Sequence, residues 1–178
     1  MGRSRYKFYE EHYPYFITST LLEELPLFSK PNIVQILLDQ LTFLQQQRAV
    51  NLYAYVIMHN HFHAVVQGQE LSKKLRLAKS YTARQILDVL VLDGHSHWLE
   101  KLEWNKKSHK IYRTYQVWQE GLHPKRLSSI NMVSQKIEYI HANPVNAGFV
   151  DMPTDWRYSS AKNYEGIGGL IPVTLFSG

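Results

Sequence analysis

Two short stretches rich in β-branched and aromatic residues, 50–56 and 62–67, flank the tight connection Met58-His59-Asn60. This pattern predicts a β-hairpin, and it constrains the fold more than any other feature of the chain. A lone hairpin is marginal in water, so it needs further strands and a covering layer. The flanking sequence supplies both. Residues 15–20, Tyr-Phe-Ile-Thr-Ser-Thr after Pro14, predict a first strand. Residues 33–47 carry Ile33, Ile36, Leu37, Leu41 and Leu44 at the three-and-four spacing of an amphipathic helix, with Pro31 and Asn32 as its start signal.

Beyond the hairpin, residues 72–90 predict a second helix, with Leu75, Ala78, Ala83, Ile86, Leu87 and Leu90 inside and Lys73, Lys74, Arg76, Lys79 and Arg84 mostly outside. Residues 110–118 alternate well enough to predict another strand, and Ser128 or Ser129 can cap a third helix over 130–141. Asn143-Pro144 is expected to stop that helix, because proline disfavours the helical region for the residue before it. The order β, α, β, β, α, β, α predicts an α+β fold of the ferredoxin-like kind, an antiparallel or mixed sheet with helices packed on it. Neither a repeat nor a long linker divides the chain, so residues 1–178 read as a single domain with its core at about 15–164.

Several function classes are excluded early. Cysteine is absent, which removes disulfides, thiolate metal sites and cysteine nucleophiles. Any metal must be held by His, Asp, Glu, Asn or Gln. No run approaches the roughly 18 apolar residues of a membrane span. The basic N-terminus is followed by charged and aromatic residues rather than by the apolar stretch of a secretory signal, so a cytoplasmic protein is expected. A formal charge of +5 and a pI near 9.3 suit a polyanionic partner without identifying one.

The chemistry-bearing stretches are two. In His61-Phe62-His63 the residues i and i+2 of a strand share a face, so two imidazoles stand side by side while Phe62 turns away. Such a pair serves either as metal ligands or as two half-buried histidines bonded to their neighbours. Spacing does not decide, since Gly94-His95-Ser96-His97 has the same spacing in what reads as a solvated loop. In the second stretch, Tyr139 and Asn143 lie four residues apart and share a helix face. If a metal held by His61, His63 and the Asn143 amide oxygen polarised a phosphodiester, Tyr139 could attack its phosphorus. A core aromatic and an ordinary helix-terminal Asn are the plainer readings. With 12 tyrosines in the chain, chemistry alone does not single one out.

Taken together, the segments Val56-Ile57-Met58-His59-Asn60-His61-Phe62-His63, Val117-Trp118-Gln119-Glu120, residues 139–150 from Tyr139 through Asn143-Pro144-Val145-Asn146-Ala147-Gly148, and Asp155-Trp156-Arg157-Tyr158-Ser159-Ser160 resemble the HUH-type single-tyrosine transposases, in particular the REP-associated tyrosine transposase group. The resemblance runs over about residues 15–164. It implies Tyr139 as nucleophile, His61 and His63 as metal ligands and Asn143 as a third, with a divalent metal, Mg or Mn. It further implies cleavage of single-stranded DNA at hairpins of repetitive elements, with the tyrosine left on the 5′ phosphate. One departure stands out: relatives commonly have proline where this chain has His59.

Single-stranded DNA is held by positive grooves with aromatic platforms. The candidates are Lys73, Lys74, Arg76 and Lys79 on the second helix, and Lys106, Lys107, Lys110 and Arg113 interleaved with Trp104, Tyr112 and Tyr115. Arg3, Arg5 and Lys7 could form a basic arm. Two other classes compete with the nicking enzyme: a domesticated hairpin-DNA-binding protein without cleavage, and a hydrolase that activates water on the histidine pair. The resemblance leaves both monomer and homodimer open, since some relatives exchange their tyrosine helices between subunits.

Overall fold

The computed structural model describes residue 8 and residues 10–177. The expected arm of Arg3, Arg5 and Lys7 lies outside them. The predicted hairpin forms from β2 (Asn51–Ile57) and β3 (His61–Gln67), closed by the Met58 N–H donating to the His61 carbonyl at 2.8 Å. β1 (Tyr15–Thr20) pairs with the free edge of β3, and the two-residue β4 (Lys125–Arg126) adds to β1. The sheet is antiparallel throughout, in the order β2-β3-β1-β4. With α1 (Pro31–Arg48) between β1 and β2, and α2 (Leu71–Leu92) and α3 (Ser96–Trp104) between β3 and β4, this is the expected ferredoxin-like arrangement.

Alternation along the strands sorts side chains to two faces. Tyr15, Ile17, Tyr55, Ile57, Phe62, Ala64 and Val66 face a large core against α1 and α2. Phe16, Ala54, Val56 and Val65 face a smaller one against Val133, Ile137 and Ile140 of α4 (Ile130–Asn146). A bulge between Leu52 and Ala54 shifts the phase of β2 by one residue, which lets Leu52 and Tyr55 both serve the larger core. The tyrosine helix therefore covers the face of the sheet opposite α1 and α2. A short α5 (Ala161–Tyr164) completes that side.

Three expectations change. Residues 110–118 form no strand; Trp118 makes an isolated bridge to Leu21, and the pairing role falls to β4. Their alternation reflects anchoring instead: the Gln116 N–H donates to the Leu102 carbonyl, the Val117 carbonyl accepts from Leu22, and the buried Val117 and Trp118 join the larger core. The supposed loop at Gly94-His95-Ser96-His97 starts α3 at Ser96, with the His95 ring 5.2 Å from Trp98 and His97 exposed. Finally, α4 passes through Pro144 and ends at Asn146. Proline near a helix end sacrifices one hydrogen bond only. The stop comes from Gly148 at φ +76°: its N–H donates to the Val145 carbonyl and that of Phe149 to the Pro144 carbonyl, the paired bonds of a Schellman motif. Ser129 caps the other end through the Met132 N–H.

Candidate active site

β3 carries His61 and His63 on the face that α4 covers, and register places Thr18 of β1 beside His63. The Thr18 hydroxyl lies 2.8 Å from His63 Nδ1. His61 Nδ1 lies 2.6 Å from the Asn60 side-chain oxygen, an acceptor, so this nitrogen carries the proton and Nε2 keeps a lone pair. With Nδ1–H donating to Thr18, His63 presents Nε2 in the same way. The two rings stand 4.8 Å apart. Burial lowers His61, with Glu24 opposing. Burial, then His61 and Lys136, pushes His63 down to about 3. Both imidazoles are thus neutral near pH 7, the form that binds metals.

From the other side, α4 brings Tyr139 to this pair. Its ring centroid is 5.6 Å from that of His63 and 5.9 Å from Phe16, while its side chain remains 42% exposed. The phenol is therefore positioned by packing yet open to a ligand. One turn earlier on α4, the Lys136 ammonium lies 4.6 Å from the Tyr139 ring centroid and 4.8 Å from that of Phe16. Lys136 escaped the sequence reading. The signal was present, as Lys136, Tyr139 and Asn143 stand at helical i, i+3 and i+7, but a lysine on a helix is ordinarily a solvated one.

Asn143 is half-buried one turn beyond Tyr139, and among the described residues its side-chain amide makes no hydrogen bond. Among the described residues no three side chains of His, Asp and Glu gather as a metal site. Glu24 acts on His61 electrostatically without joining such a cluster, and His59 does not complete it; its ring packs on Phe149 and Trp156 at 4.5 and 5.6 Å. Two neutral imidazoles on one sheet face are donors that could hold a divalent ion, and Asn143 is the amide on the helix covering that face. α4 is held against β2 by His141 Nε2, 2.9 Å from the Ser160 hydroxyl, and Ser160 in turn is bonded to the backbone of Tyr55.

The basic candidates divide. Lys73, Lys74, Arg76 and Lys79 ride on α2, across the sheet from the histidines. Lys73 pairs with Glu70, and Lys74 donates to the Arg48 carbonyl. Lys79 donates to the Gln119 and Gly121 carbonyls, and burial, then Lys110, lowers it to about 8. Lys106 donates to the Arg113 carbonyl and Lys110 pairs with Glu120, whereas Lys107 and Arg113 are exposed beside Trp104 and Tyr112, which are 88% and 95% exposed. Tyr115 packs against the larger core. Among the described residues, no helix is long and apolar enough to cross a membrane.

No protein-family model matches the chain. A Haemophilus influenzae protein that carries the name REP-associated tyrosine transposase is 27% identical over 107 residues, covering 60% of this chain and 56% of that protein. The chain thus spans little more than half the length of this curated relative. Among solved structures, a REP-associated tyrosine transposase bound to a REP hairpin matches with a TM-score of 0.67 at 19% identity, over 99% of this chain and 96% of that one. The resemblance carried by the motifs extends to the sequence and to the fold.

Proposed function

We propose that this chain is a metal-dependent transposase-type nickase that cleaves and rejoins single-stranded DNA at hairpin-forming repeats through Tyr139. The observation that carries the reading is the packing of the half-exposed Tyr139 ring against His63, whose Nε2 is not engaged by Thr18. A divalent metal held by His61, His63 and Asn143 would supply Lewis-acid stabilisation of charge on the scissile phosphate. In the reaction, Tyr139 Oη forms a bond to phosphorus and loses its proton. The bond from phosphorus to the 3′ oxygen breaks, and that oxygen takes up a proton as the free 3′ hydroxyl. The phosphotyrosine conserves the bond for rejoining.

This chain's residues prepare that step by placement. Thr18 and Asn60 orient the two imidazoles, and Ser160 through His141 holds α4 against the sheet. The exposed Trp104, Lys107, Tyr112 and Arg113 of one segment are better suited to a DNA strand than Lys73, Lys74 and Lys79 of α2, which already have protein partners. The experiment is to incubate the protein and Tyr139→Phe with labelled single-stranded hairpins from repeats of its own genome, with Mg or Mn and with chelator. A denaturation-resistant adduct that requires metal and vanishes in the variant is expected. Binding without adduct under any metal would favour a hairpin-binding protein instead, and an adduct surviving in the variant would move the nucleophile to another tyrosine.

A further inference from the structure

The turn that delivers the histidine pair and the end of the tyrosine helix meet in a cluster of three rings. His59 stands in the β2–β3 turn, and its carbonyl accepts from the Phe28 N–H at 3.0 Å, which holds the turn in place. Phe149 follows Gly148 at the end of α4, its backbone set by the bond to the Pro144 carbonyl. Trp156 donates its indole N–H to the Ile57 carbonyl at 3.0 Å. The Phe149 and Trp156 rings are stacked, 5.5 Å apart and 26° from parallel, and His59 stands edge-on to both. Phe149 is 47% exposed even so.

We infer that His59, Phe149 and Trp156 form a stacking platform for one unpaired nucleobase of the strand being cut, next to the phosphate that Tyr139 attacks. This rests on the nicking reading and adds a binding subsite to it. Position supports it first. His59 is two residues from His61, a reach of at most about 7 Å, comparable with the spacing of neighbouring nucleotides along a strand. Rigidity supports it second, since the indole of Trp156 and the backbones of His59 and Phe149 are each hydrogen-bonded and the three rings pack on one another, so less ordering remains to be done on binding. Chemistry supports it third. A flat aromatic face takes the flat face of a base with little regard to sequence, and an edge-on imidazole can wall one side of it. The neighbouring Asp151 and Asp155 are exposed, which disfavours a phosphate here and leaves the base as the part of DNA that fits. His59 then gains a role: it supplies the wall.

The test uses the full chain carrying Tyr139→Phe, so that bound DNA stays intact, and a hairpin oligonucleotide with 2-aminopurine placed at each unpaired flanking position in turn. Stacking is expected to quench the fluorophore at one position beside the mapped cleavage site. Phe149→Ala is expected to abolish that quench and weaken binding about 5- to 100-fold, as loss of one base stack does. Phe149→Trp should restore both, while Phe149→Leu should not. Phe149 is half-exposed, so its variants keep the fold, and His59→Ala reads the same contact from a residue outside α4. An unchanged quench and affinity in Phe149→Ala, or full rescue by Leu, would overturn the platform. A quench that depends on Phe149 in a protein that never forms a Tyr139 adduct would instead overturn the nicking reading alone.

Discussion

Lys136 is the residue whose contribution is hardest to assign by type and easiest by position. Its ammonium lies against the ring faces of Tyr139 and Phe16, and burial, then Lys125, lowers its proton affinity. On the nicking reading, a cation at this distance from the attacking phenol would stabilise charge developing on the oxygen and on the phosphoryl group. The side chain is partly solvated, so screening keeps the effect near 1 kcal/mol, or up to about 2 where bound DNA excludes water. Lys136→Met is therefore expected to slow adduct formation about 5- to 30-fold in single-turnover assays with DNA affinity nearly unchanged, and Lys136→Arg to recover most of the rate. Equal losses in affinity and rate would make it a DNA-binding residue and nothing more. Of the candidate site, strand and helix periods made legible only that His61 and His63, and Tyr139 and Asn143, share a face; choosing them over the other histidines and tyrosines took the resemblance. Lys136 and Thr18 were not legible, since their roles arise from pairing between distant segments.

At the scale of elements, the end of α4 shows where local rules compete. Pro144 read as a stop, yet the helix runs through it to Asn146, and Gly148 terminates it in the left-handed region. A Cβ at Gly148 would meet nothing within 4 Å, so the cost of Gly148→Ala is conformational alone, about 1 kcal/mol. For a chain of 178 residues that corresponds to a fall in Tm of about 2–4 °C, measurable by calorimetry, with Gly148→Asn losing less. An unchanged Tm would mean that the Schellman bonds contribute nothing. The strand expected at 110–118 failed for a related reason. Its alternation was real, but Gln116 and Val117 spend their backbone groups on Leu102 and Leu22, partners that no local pattern could announce. β4, with two residues, was too short to carry any period.

For the molecule as a whole, the βαββαβ order was legible because the long helices and the central hairpin are strongly periodic, and strand order then follows from short, antiparallel connections. Whether the tyrosine helix serves its own sheet was not legible, yet the structure bears directly on it. β4 pairs with β1, and only residues 127–129 separate it from α4, a reach of about 10 Å. Leu127 is itself buried and its N–H donates to the Pro14 carbonyl, a contact that an exchange of the helix with a second copy would have to break. His141 and Ser160 fasten the far half of α4 to the same chain. On the nicking reading, cleavage in cis is expected: adduct formation per molecule should be independent of protein concentration, and mixing Tyr139→Phe with His63→Ala should leave the adduct absent. Should the mixture regain activity, a helix exchanged between subunits must carry the tyrosine, and the short 127–129 connection would have to open from its contact with Pro14 for that to happen.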